Sequence, residues 1–418
     1  MKVSFTKLIC VSFCVALPSA LLSQQQTEPT VRFELLASRD FHQPVKSWLF
    51  PPRAAEPGFA AVAVQQEQIR WFNGAPPKKL SLPAGYLSTV FSEHGRQFAV
   101  VSLRQTEKAG NGDKFLRLEL YDSATTEKLY SLNQKQYFDD SLPVVVVSNQ
   151  KGLVILGRNS TGTLRFYGQH GVLNKEVTLF PGAAYDLERS LYLDLSEDGT
   201  LLAVGASKRG GAPWGAEAPN PSGEPYLFLF TPFGEQLWSA PLPGFNTAAT
   251  AISAHGEVIV ANCYTVDQQG QVNKQSLLFS QDGKRTGSFD LLFKYAAFSP
   301  DAKYVLLAEN NAATLVQSAS GQIVWTERLP RSQGMIAAIG LSNAGEYAAL
   351  LMAKNQFQQG VFLFTKPRVK VVDRAGQLQQ EIDLEGESFE KPVLELSADH
   401  RHLVVGFGNS YRIYGSKQ

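Results

Sequence analysis

Cysteine is nearly missing from this chain: there are three in 418 residues, Cys10 and Cys14 inside an N-terminal apolar stretch and Cys263 alone in the remainder. Removal of that stretch leaves no partner for an intramolecular disulfide, so stability has to come from packing, and about 395 residues are enough to bury a large core. Cys263 closes the apolar run Val258-Ile259-Val260-Ala261-Asn262-Cys263 and reads as a buried strand thiol. Histidine is scarce as well. His94, His170, His255 and His400 fall in polar turns, and His400 and His402 flank Arg401, a spacing that is weak evidence for a metal site. Charge of one sign is also lacking. Lys plus Arg is 39 against 38 for Asp plus Glu, with no run of like charge, so the chain carries no footprint for nucleic acid or an anionic bilayer. Neither a Gly-x-Ser-x-Gly elbow, nor a phosphate loop ending in Lys-Ser or Lys-Thr, nor a calcium loop occurs, and no cofactor or metal is expected.

Long hydrophobic runs are confined to the start. Lys2 and Lys7 precede an apolar stretch from Leu8 to Leu22, followed by Ser23-Gln24-Gln25-Gln26, the layout of a secretory signal peptide. At about 15 residues, and with Pro18 inside it, the stretch is shorter than the ~20 that span a bilayer. A lipid anchor would need a Cys at its end, where none stands. The expectation is a signal peptide over 1–23, a polar linker over 24–30 and a single domain over 31–418, giving a secreted or periplasmic protein, monomeric and with no membrane span after cleavage.

What the remainder does contain is a recurring corner: an apolar run, then Ser, a short polar turn, and a second apolar run. It stands at Ser92, Ser148, Ser196, Ser253, Ser299, Ser342 and Ser397. Between corners lies a second turn, polar and often glycine-bearing, as at Thr231-Pro232-Phe233-Gly234 and Ser318-Ala319-Ser320-Gly321. Short apolar alternation flanked by such turns makes four-stranded antiparallel meanders. Repeats of roughly 40 to 60 residues built this way indicate an all-β propeller. Five strand candidates precede Gly85, three follow Glu387 and six full repeats lie between. This predicts eight blades, with seven as the rival, because the first repeat has no serine corner. The surplus segment Val31 to Leu36 is expected to complete the last blade, closing the ring and covering a bare edge.

With these repeats the chain resembles the broad group of WD-repeat-like and quinoprotein-like propellers over essentially all of residues 31–418. The Trp-Asp dipeptide and the Gly-His of the first subgroup are absent. The tryptophan docking pattern of the second, Gly followed four residues later by Trp, is matched by Gly234 with Trp238 and by Gly321 with Trp325, but Phe230 and Gln317 stand where that pattern has Asp. The two tryptophans are therefore expected to pack blades together.

Connection lengths separate the two faces. Serine corners and hairpins keep one face short, while Arg104 to Lys114, Ser207 to Pro225, Thr265 to Gln275 and Ala353 to Gly360 are long and emerge on the other, the usual placement of a binding face. Arg104, Lys108, Lys208, Arg209 and Trp214 on these insertions are the ligand-binding candidates, able to supply charge and stacking. The expected function is a noncatalytic scaffold for a protein, peptide or glycan. The alternative is a quinoprotein-like or hydrolytic enzyme using carboxylates at the channel mouth, for which Asp139, Asp140, Asp186, Glu188, Glu387 and Glu390 are the candidates.

Overall fold

The computed structural model describes residues 31–417 apart from 41–44, 50–60, 66–67, 73–77, 93–94, 106–113, 137–141, 151, 159–160, 182–190, 210–222, 267–268, 270, 359–360 and 389–391. Strands dominate, and the helical elements are three-residue 3-10 turns such as Gln169–Gly171. No helix is long and apolar enough to cross a membrane among the described residues.

The strands form antiparallel sheets in chain order. Seven carry four strands each and an eighth carries five. We number them 1 to 8 by their innermost strands: Val45–Leu49, Tyr86–Phe91, Val144–Val147, Leu191–Leu195, Phe245–Ile252, Tyr295–Phe298, Met335–Leu341 and Val393–Leu396. Sheet 8 takes its outer strand from the other end of the chain. Arg32–Asp40 pairs with Ser410–Lys417, from Arg32 opposite Lys417 to Asp40 opposite Ser410.

The five-stranded sheet departs from the uniform four-stranded repeat that the sequence predicts. In sheet 7 the strands Tyr347–Gln358 and Val361–Asp373 stay paired out to Gln358 opposite Val361. A bulge at Met352/Lys354 bends this arm, with Lys366 in the left-handed region at φ 49, and the short strand Glu387–Ser388 pairs against Phe364 and Thr365. Other expected insertions are likewise partly ladder: Gln105 pairs with Lys114, Arg209 with Gly223 and Val266 with Val272.

Each serine corner has one physical logic. The seven serines are buried, which obliges their polar atoms to find partners. The Ser196 N–H donates to Leu201 O at 2.9 Å, and the Leu201 N–H returns to Ser196 Oγ at 3.0 Å. The same reciprocal pair joins Ser253 with Val258, Ser342 with Tyr347 and Ser397 with His402. Where Asp stands two residues on, it accepts the serine hydroxyl, as Asp198 and Asp301 do at 2.7 Å. Gly199 turns each of these requirements into a residue choice: its φ is +70, and a Cβ would run into Ser148 Oγ of the neighbouring corner.

Neighbouring sheets pack face to face through alternate apolar side chains. Between sheets 6 and 7 the core contains Leu306, Leu315, Ile336, Leu350 and Met352, and between sheets 7 and 8 Leu351, Val369, Leu394 and Leu403. Trp238 packs against Gly283 of the next sheet and Trp325 against Gly376, the packing role expected of the two tryptophans.

Candidate functional site

The innermost strands of sheets 4 to 8 wall a common central space. Toward its serine-corner end lies a cavity of about 260 Å³ lined by sheets 4 to 8, with Asp194, Ile252, Ala297, Gly340 and Glu395 among its walls. The repeat explains this opening. Two residues before the corner serine, the chain places Val90, Val146, Asp194, Ala251, Ala297, Gly340 and Glu395. Small residues on three consecutive sheets leave space, and a carboxyl group stands on either flank. Cavities with polar walls hold water, so this one is suited to ions, protons or small polar molecules.

Asp194 couples two sheets. Its Oδ2 accepts the backbone N–H of Ile252 in sheet 5 at 2.8 Å, and beside it Thr250 Oγ1 donates to Tyr192 O at 3.4 Å. Burial pushes the Asp194 carboxyl up to about 7, bonds from the Ile252 and Leu195 amides oppose this, and the Glu197 charge adds to the rise. Each effect has the expected sign.

The corner face around the cavity is cross-linked. Gln97 Nε2 donates to Ser148 O at 3.0 Å and Gln150 Nε2 to Gly199 O at 3.2 Å, while the backbone N–H groups of Asp198 and Asn343 reach Ala254 O and Ala398 O. His255 Nδ1 lies 3.1 Å from Asp198 Oδ2, and His400 Nδ1 3.4 Å from Glu346 Oε2. Each pair ties the corners of adjacent sheets. Burial alone would raise the Asp198 carboxyl, but hydrogen bonds from Ser196, Thr200 and His255 hold it below its ordinary value.

Of the sequence-predicted ligand residues, Arg104 is exposed near the end of its strand, opposite Phe115. Lys208 and Arg209 continue the ladder opposite Glu224 and Gly223. Lys108 and Trp214 lie outside the described residues. Among the acidic candidates, Glu387 is the strand residue opposite Thr365, and Asp139, Asp140, Asp186, Glu188 and Glu390 lie outside the description. The described candidates sit on sheets 2, 4 and 7, not together. Sequence reasoning missed Asp194 and Glu395, although a signal was present: an acid at a repeat position that is otherwise apolar or small.

Other reactive groups are taken up structurally. Burial raises the Cys263 thiol to about 11, far from an activated nucleophile. Glu119 is held by Arg117 at 2.7 Å and Lys128 at 3.2 Å within its own sheet. No group of three His, Cys, Asp or Glu side chains that could hold a metal occurs among the described residues.

No family model and no curated protein matches this chain. Solved structures do. The C-terminal WD40 domain of Sif2 is 11% identical, with a TM-score of 0.53, over 92% of this chain and 99% of that domain. A chain of a mitotic checkpoint complex is 10% identical, with a TM-score of 0.48, over 98% of each. Raptor of Chaetomium thermophilum is 10% identical, with a TM-score of 0.46, over 79% of this chain and only 27% of Raptor. Identities this low speak for architecture alone, and the Sif2 likeness, joined to the sheet order, shows a β-propeller fold similar to that WD40 domain.

Proposed function

We propose that this protein is an exported, noncatalytic propeller that binds another protein, a peptide or a glycan through the face bearing the extended hairpins. The observation that carries this reading is the asymmetry of the two faces. On one, the ladders run out to Gln105 opposite Lys114, Val266 opposite Val272 and Gln358 opposite Val361, and Arg104 and Phe357 are exposed. On the other, buried serines and corner-to-corner hydrogen bonds consume the polar groups. Protruding elements on a rigid scaffold are where binding residues concentrate, and the fold shared with the WD40 domain of Sif2 suits a protein partner. Export rests on the Lys2 to Gln26 layout.

The test is site-specific photocrosslinking in the full chain. A crosslinker at Arg104 or Glu224 is expected to capture partners from the native envelope or secretome, and one at Ala344 in a serine corner to capture none. Equal capture from the corner would overturn the assignment of the face.

A further inference from the structure

We infer that Asp194 is a proton-operated latch between the innermost strands of sheets 4 and 5, so that the corner end of the channel responds to the pH of its surroundings. The inference stands apart from the choice of binding face. Its basis is the position of the carboxyl group: on the cavity wall, bonded across the sheet boundary to Ile252 N at 2.8 Å, at a repeat position where five other sheets manage with Val, Ala or Gly. The fold does not need an acid there.

Burial and the neighbouring acids act against the charge of the group and outweigh the Ile252 and Leu195 amides, which favour it. The titratable residues on the cavity wall are Asp194, Glu197 and Glu395, all of them acids. Val144–Val147 of sheet 3 and Phe245–Ile252 of sheet 5 bring no titratable side chain to the group. On its own strand there is Tyr192, and behind it Leu202–Arg209 holds Lys208 and Arg209 at its far end. At the corners, Asp198 is engaged with His255 and Glu257 with Ser253. A proton on Asp194 therefore removes the cost of a buried charge while Oδ2 still accepts from Ile252. Ionisation puts a charge beside Glu197 with no described cation on the wall, and drives the carboxyl toward water in the lumen.

The experiment is a pH titration of the full chain labelled with 15N-isoleucine, following the Ile252 amide from about pH 4.5 to 9. A single transition with its midpoint near neutrality is expected in the wild type. Asp194→Asn, which keeps a side-chain acceptor, abolishes it, and Glu197→Gln moves the midpoint down. A flat Ile252 profile, a midpoint near the ordinary carboxylate value of about 4, or an unchanged transition in Asp194→Asn would each overturn the latch. The wild-type midpoint decides the matter by itself if either variant fails to fold.

Discussion

Trp238 lies against Gly283 of the following sheet: a Cβ on that glycine would stand 3.1 Å from the indole, and the indole Nε1–H donates to Gln281 O at 2.7 Å. One residue thus supplies both packing and a hydrogen bond between two sheets that share no ladder and that Asp194 and Asp198 also bridge.

Two substitutions separate those contributions. Gly283→Val meets the ring and places a β-branched residue at φ +81, so it is expected to cost more than ~2 kcal/mol. Trp238→Phe keeps a ring and loses the hydrogen bond, for about 1 kcal/mol. Urea unfolding of the two variants checks the order, which would be reversed if the hydrogen bond rather than the packing set the contact.

The corner serines give a second prediction. Ser253→Ala leaves the buried Val258 amide without its 3.0 Å hydroxyl acceptor and Glu257 without its 2.9 Å donor, and should destabilise by ~1–3 kcal/mol. Thr231→Ala, which removes the corresponding 3.1 Å bond to Glu235 N in an exposed hairpin, is expected to stay within about 0.5 kcal/mol. Thermal melts of both variants measured side by side test whether burial, rather than the bond itself, sets the cost.

How far these sites were legible depends on whether their cause is local. The serine corner is local: a hydroxyl, a turn and an amide five residues on, so Ser196 and Ser253 announce themselves in sequence. The hairpin at Thr231 to Gly234 does so for the same reason. The cavity is not local. Asp194 and Glu395 are separated by about half of the domain, and only the packing of sheets 4 to 8 around one cavity puts them on one wall. Their shared position before the serine was the readable part. The extended arm of sheet 7 reads as an insertion in sequence because Lys354-Asn355-Gln356-Phe357-Gln358 is polar and lacks the apolar alternation of a half-buried strand. It forms a strand by hairpin pairing, projecting beyond the core that would otherwise impose a pattern.

Asp194 also sets the sign of a pH dependence. Its folded-state value lies above the ordinary one, so the native state holds a proton that the unfolded chain releases. Its contribution to stability is fully present below about pH 4 and is lost as pH rises through that window to about 7. Asp194→Asn, neutral throughout, should gain stability relative to wild type across this interval, with the gap level above it. Melting temperatures at matched ionic strength from pH 4 to 8.5 check this, and a gap that widens as pH falls would contradict the burial of the carboxyl.

The N-terminal strand supplies the last prediction, because it does more than shield an edge. Arg32–Asp40 pairs along Ser410–Lys417, and Phe33 is buried in the core between sheets 7 and 8. Its backbone is gripped from sheet 7 as well: the Phe33 N–H donates to Gln380 Oε1 at 2.6 Å, and Gln380 Nε2 donates to Phe33 O at 3.0 Å. Gln380→Ala removes both bonds and leaves the strand ladder, so it should cost about 1–2 kcal/mol. Phe33→Ala opens a cavity at the same boundary and should cost ~3–5 kcal/mol. Deletion through Asp40 removes ladder, ring and grip together. It exposes Ser410–Lys417 as an unpaired edge, and should lower the melting temperature by several degrees or more and promote association. Light scattering and thermal melts on the three proteins test the ranking. A deletion no worse than Gln380→Ala would mean that the strand clips two sheets together without being needed to complete the second.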